Sequence, residues 1–333
     1  MSKPDKVLNQ FQLMNITNNQ NVHTLRSQHQ VKESLNTIIF TNTQLVIAAG
    51  LEKFVIFTLK NDQLKYIGQV IQNDTIFSLC QIKSSNSILQ GNFDGEIKIW
   101  HHTSLNHSKY LMKLQKHNSR IQNIIMNKDE DQIYSSSTRL IITDKNQQYK
   151  YSQTILQNIT IIRCVSLQES QNKFLVCGLD KQIIVLQYYP IDQKWNKIQK
   201  INFEANGESL CFVNENQFVV QQHHKNTIQL FEFNCSNQQF EKSKEIKIQK
   251  GLISYNLGFQ AQFSQEKKIL ITKNSQFVNI IKRTEKNEFI FISSINFDTC
   301  YIFGSMSEDG KYLITWDQKS LCVQLWELKD THF

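Results

Sequence analysis

The side chains to question first for chemistry are the nine histidines and seven cysteines of this 333-residue chain. Four of the histidines stand as two adjacent pairs, His101-His102 and His223-His224. A metal ion needs ligands that converge, and neighbours in an extended strand point to opposite faces, so neither pair is expected to hold one. The cysteines (Cys80, Cys164, Cys177, Cys211, Cys235, Cys300 and Cys322) form no CxxC pair and no even-numbered disulfide framework. Most sit in apolar, strand-like runs, where a thiol serves as a small buried hydrophobe rather than a nucleophile. No GxSxG elbow, HExxH helix or glycine-rich phosphate loop is present. With ten glycines in the whole chain, a backbone that wraps closely around a nucleotide is not expected. The residues therefore predict no catalytic centre, no cofactor and no metal. Acids or histidines that meet from distant segments would escape linear motifs, which keeps a ligand-binding or catalytic central channel as an alternative.

The net charge of +8 and a pI near 9.0 raise nucleic acid or an anionic membrane as a further alternative partner. Basic residues are interleaved with acids, as in Glu241, Lys242, Lys244, Glu245, Lys247 and Lys250, which reads as a solvated strand face; nucleic acid is thus not the expected partner. Roughly a fifth of the residues are Asn or Gln, a protist-like bias that drains information from any single amide. No apolar run reaches the roughly 18 residues of a membrane helix, and Met1–Gln20 lacks the basic-then-apolar layout of a secretory signal. The expectation is an intracellular protein, cytoplasmic with nuclear or ciliary residence as options.

These side chains must be positioned by short β-branched and aromatic runs separated by polar turns, from about Val22 to Leu328. A recurrent run starts at Phe54, Glu96, Leu140, Gln182, Thr227, Phe277 and Leu321, at spacings of about 42 to 50 residues. That interval suits a four-stranded propeller blade, and seven beats predict seven blades. The fourth shows the quartet best: residues 161–167, 174–178, 182–187 and 194–201. After Leu328 too few residues remain for an outermost strand, so residues 22–28 are predicted to complete the last blade and spare the sheet an open edge. The domain reading is a polar arm 1–21, a propeller 22–328 and a tail 329–333.

One blade carries a family signature. Ser87-Ile-Leu-Gln-Gly-Asn-Phe-Asp-Gly-Glu-Ile-Lys-Ile-Trp100 resembles the WD40 repeat, with partial echoes at residues 49–57, 177–186 and 322–326. Leu114-Gln-Lys-His-Asn-Ser-Arg-Ile121 is similar to the family's Gly-His element, with Lys116 in place of Gly. The resemblance implies an all-β, seven-bladed WD40-type propeller and structural roles for Asp94, Trp100, His117, Asp180 and Trp326. It also implies an aspartate-histidine network within each blade, which this sequence completes nowhere: Gln72 stands where histidine is expected before Asp94, and no aspartate stands near Thr138 and Arg139 to receive His117.

The resemblance places the residue before each turn aspartate on the narrow face of the ring, where partners dock. The matching positions are Leu51, Phe93 and Leu179, with Arg120 and Arg139 in loops of the same face. Exposed apolar and aromatic residues beside arginine are the makings of an interaction hot spot. The expected function is a non-catalytic protein–protein interaction scaffold or adaptor that holds a protein or peptide. The Phe-Arg-Arg-Gly element of phosphoinositide-binding propellers is absent.

Overall fold

The computed structural model describes residues 22–101, 109–156, 161–251 and 259–330, and every element in them is a β-strand. The expected arm 1–21, His102 and the last three residues of the tail lie outside the described residues. The first strand, β1 (His23–Gln30), is followed by a six-stranded sheet in sequence order: β2 (Leu35–Phe40), β3 (Leu45–Lys60), β4 (Gln63–Ile82), β5 (Ser87–Asn92), β6 (Glu96–His101) and β7 (Met112–Gln115). Next come three antiparallel meanders. They are β8 (Asn123–Met126), β9 (Gln132–Ser136), β10 (Leu140–Asp144) and β11 (Lys150–Leu156), then β12 (Ile162–Leu167), β13 (Lys173–Gly178), β14 (Gln182–Tyr189) and β15 (Lys194–Asn202), then β16 (Gly207–Asn214), β17 (Gln217–Gln222), β18 (Thr227–Asn234) and β19 (Gln239–Lys247). A fourth comprises β20 (Gln262–Ser264), β21 (Ile269–Asn274), β22 (Phe277–Arg283) and β23 (Phe289–Asn296). The last sheet joins β24 (Ile302–Met306), β25 (Tyr312–Asp317) and β26 (Cys322–Leu328) to β1, in the order β1-β26-β25-β24.

The expectation of a seven-bladed propeller is corrected: the strands form six sheets, five of four strands and one of six, in a six-bladed propeller-like arrangement. The reason is local. β3 doubles back at Leu51 and Glu52 (φ 58°), so that residues 45–50 pair with β2 and residues 53–60 with β4. β4 then runs unbroken from its pairing with β3 (residues 63–75) to its pairing with β5 (residues 76–82). Val70–Cys80 contains neither Gly nor Pro to break it. Two consecutive four-segment repeats are thereby fused into one sheet, where the periodic reading placed a boundary.

The six sheets form a propeller-like arrangement whose innermost segments adjoin in sequence. Asn36 Nδ2 donates to Ile76 O (2.9 Å), Ser78 Oγ to Ile121 O (3.3 Å) and Asn123 Nδ2 to Arg163 O (3.1 Å). Further round, Ala261 N donates to Ser209 Oγ (2.6 Å) and Met306 N to Gln262 Oε1 (2.6 Å), while Phe303 of β24 packs with Leu35 and Ile38 of β2. Between successive four-segment units lie buried apolar clusters, such as Phe174, Val176 and Leu186 with Tyr134 and Trp195, or Phe218, Phe231 and Phe240 with Leu175 and Val185. Each such buried side chain contributes roughly 1.5–3 kcal/mol. A neutral hydrogen bond nets about 1 kcal/mol, so stacking rather than any polar network dominates the stability.

The final sheet is sealed by antiparallel pairing of β1 with β26, from His23 opposite Leu328 to Gln30 opposite Cys322. Backbone bonds from Lys329 N to Val22 O (2.8 Å) and from Val31 N to Leu321 O (2.7 Å) extend the pairing at both ends. Arg26 and Glu327 add an ion pair across it. In every quartet the antiparallel course puts the turn between the second and third segments at the same end as the entry into the next inner segment. That shared end is the face on which Leu51, Phe93, Arg120, Arg139 and Leu179 all fall.

Candidate functional site

The turn after β5 projects Phe93, which is 62 % exposed, and the bend of β3 projects Leu51, 51 % exposed. Both meet at Thr75: Leu51 lies opposite it across the strand pair, and Phe93 N donates to its carbonyl over 3.0 Å. Two residues further along β4, Phe77 packs its ring 6.0 Å from that of Phe93. The Arg120 guanidinium lies over the other ring of this pair, with its carbon 4.6 Å from the Phe77 centroid. Gln122, with its amide oxygen turned toward Arg120, accepts from Nη2 over 2.6 Å and from Nε over 2.7 Å. Phe93 and Arg120 are thus brought together around Phe77, a residue that sequence reasoning missed, while Leu51 lies across the strand pair from Thr75.

Arg139 and Leu179 stand further round. Arg139 is half-buried, and its charge reaches His117. Leu179 is half-buried too and is tied through its backbone N to Ile161 O over 3.3 Å. Neither joins the Phe77 cluster.

This cluster borders a central cavity of about 500 Å³. Its wall takes residues from β2, β8, β12, β16, β20 and β24 and from residues 77–79 of β4, and its charged members are Arg120, Arg163 and Glu208. Glu208 is buried; it accepts from Arg163 Nη1 at 3.5 Å and shares a hydrogen bond with His223 Nδ1. Burial, and next the neighbouring Arg163 charge, lower the pKa of Arg120. The cavity wall thus carries two guanidinium groups and one carboxylate. His224 occupies a turn at φ 61° rather than a strand, and among the described residues no group of three or more metal-capable side chains gathers.

The residues expected to build an intra-blade network do so with other partners. Trp100 is buried and donates Nε1 to Gln90 Oε1 over 2.7 Å, and Gln90 Nε2 in turn donates to Asn92 Oδ1 over 2.6 Å. Asp74 pairs with Lys98. Asp94, by contrast, is exposed and accepts from Glu96 N at 3.3 Å. Gln72 is buried with neither end of its amide bonded. His117 is buried and shares 2.8 Å with Ser135 Oγ through Nε2; burial first, then Arg139, push its pKa down to about 4. Asp180 bonds the side chain of Gln182, and Trp326 donates to Thr315 Oγ1 over 2.9 Å. Burial pushes the Cys80 and Cys211 thiols up to about 12 and raises Cys177, beside Cys164, so at neutral pH these three are protonated and unreactive.

No family model matches this chain, so the WD40 assignment drawn from the second quartet is withdrawn. In that quartet Trp100 is held by Gln90, and Asp74 pairs with Lys98, instead of an aspartate-histidine network. The chain is similar to the 77 kDa echinoderm microtubule-associated protein of Strongylocentrotus purpuratus, with 23 % identity over 132 residues, 40 % of this chain. It spans about a fifth of that protein's length.

Proposed function

We propose that this chain is a non-catalytic binding platform, working inside the cell, that holds a protein partner on the face centred on Phe93, Phe77 and Arg120. The observation that carries the reading is Phe93, a large aromatic ring left 62 % exposed on a ring already stacked beneath Arg120. An isolated exposed apolar residue is ordinary, but aromatic side chains grouped around an arginine are enriched at the energetic centres of interfaces. A rigid propeller-like frame presents such a group with little loss of conformational entropy on binding. The similar echinoderm protein is named for association with microtubules, which is in keeping with a binding role.

The test compares affinity purifications with the wild-type chain and with a Phe93→Ala, Arg120→Ala double variant. Proteins recovered by the first and lost from the second are then titrated calorimetrically against both. The reading expects at least one partner whose Kd rises by about tenfold or more, since a hot-spot residue contributes roughly 2 kcal/mol. Equal recovery by both would place the docking surface elsewhere.

A further inference from the structure

Resting on that docking face, we infer that the bound partner is a peptide segment bearing an acidic residue, whose carboxylate enters the central cavity between Arg120 and Arg163 while an adjacent apolar residue covers Phe93. Arg120 is half-buried and, among the described residues, has no carboxylate partner; its Nε and one Nη are engaged by the neutral amide of Gln122. Arg163, the other cation on the wall, has Glu208 at 3.5 Å, and that carboxylate is shared with His223. Two guanidinium groups on the wall are thus opposed by a single acid. A partly desolvated cation with no counter-charge is costly, and an arriving carboxylate would satisfy it through charge-assisted, fork-shaped hydrogen bonds.

The surroundings decide what carries that carboxylate. A volume of about 500 Å³ accommodates a side chain with its neighbours, and beside Arg120 stand the aromatic rings of Phe77 and Phe93. A free inorganic anion would leave those rings uncovered. An acidic residue next to an apolar one uses both halves of the site.

A phage-displayed library of twelve-residue peptides is panned on the full chain, and retained sequences are resynthesised with a fluorescent label, each acid replaced in turn by its amide. The inference expects a shared acid beside an apolar residue, with about a tenfold or greater loss of affinity for the amide twin, as a charge-assisted hydrogen bond implies. Arg120→Gln and Arg163→Gln should each bring the acid-to-amide affinity ratio close to one, while Arg163→Lys, which keeps the charge, retains part of it. Unchanged thermal midpoints certify that the variants fold.

If acid and amide twins bind alike while Phe93→Ala abolishes binding, the acid inference fails and the docking face stands. Peptides held equally by wild type and Phe93→Ala would instead overturn the docking face. Failure to retain any peptide overturns the inference, as does arginine-dependent binding of inorganic phosphate or phosphatidylserine vesicles in place of peptides.

Discussion

Trp100 Nε1 reaches Gln90 Oε1 across 2.7 Å, joining the third segment of the second quartet to its second segment in the interior of the sheet. Gln90 is fully buried and divides its amide between the indole and Asn92. Replacing it by leucine leaves the buried Trp100 N–H without its acceptor. Gln90→Leu is expected to cost about 1–3 kcal/mol, read as a lower urea midpoint. Asp94→Ala, at the exposed turn position, should stay within about 0.5 kcal/mol of wild type. The reverse order of effects would mean that the turn aspartate, and not the glutamine, organises this quartet.

The edge of β26 is protected by β1, so removing residues 1–30 leaves the last sheet open between Cys322 and Leu328. The thermal midpoint is expected to fall by about 5 °C or more, on the scale of a few kcal/mol in a domain of this size, with a tendency to self-associate through the bared strand. A midpoint identical to that of the full chain would show that the closure adds no stability.

Gly95 sits at φ +87°, and a Cβ there would stand 2.2 Å from the carbonyl oxygen of His117. Gly95→Ala should therefore destabilise by about 1–3 kcal/mol, through both backbone strain and displacement of the loop that carries Arg120. At Gly68 a Cβ meets nothing within 4 Å. Gly68→Ala is expected to be neutral or stabilising by up to about 1 kcal/mol. Comparing the two unfolding curves separates a conformational requirement from a mere glycine effect.

His117 is held neutral by burial, and Arg139 adds to the shift, so its pKa falls from 6.5 to about 4. The unfolded chain takes up a proton near 6.5 that the folded chain refuses, so stability is full above that value and declines as the pH drops toward about 4. The loss amounts to at most about 3 kcal/mol. Urea titrations at pH 7.5 and 5 should show a larger drop for wild type than for His117→Gln, which keeps a polar group toward Ser135 but does not titrate. Equal slopes in the two proteins would remove the histidine from the pH response.

Much of this architecture can be read from residues alone, for identifiable reasons. The strand beats stand out because polar turns punctuate β-branched runs. The pairing of β1 with β26 is foreshadowed by a strand-like run at residues 22–28 that precedes the first quartet and has no place within it. The fusion of the first two quartets is hidden, because Val70–Cys80 carries no signal telling an extended connection from a continuous pair of ladders. Phe93 and Arg120 are singled out through the resemblance of their turn and loop to the WD40 repeat, not from their residue types alone. Phe77 and Arg163 are not, since their importance comes from inner segments converging on one cavity, a relation that linear spacing does not express. Gln90 was masked by composition: where a fifth of the residues are amides, the one that fixes a tryptophan looks like all the others.

The central claim, that partners dock over Phe77, Phe93 and Arg120, is tested most directly by hydrogen–deuterium exchange of the chain with and without a partner recovered through the affinity comparison. The account predicts slowed exchange concentrated in residues 75–77, 92–95 and 119–122, with the opposite face, including the turns at residues 83–86 and 127–131, unchanged. Protection confined to that opposite face, with the Phe93 turn exchanging as freely as before, would contradict it.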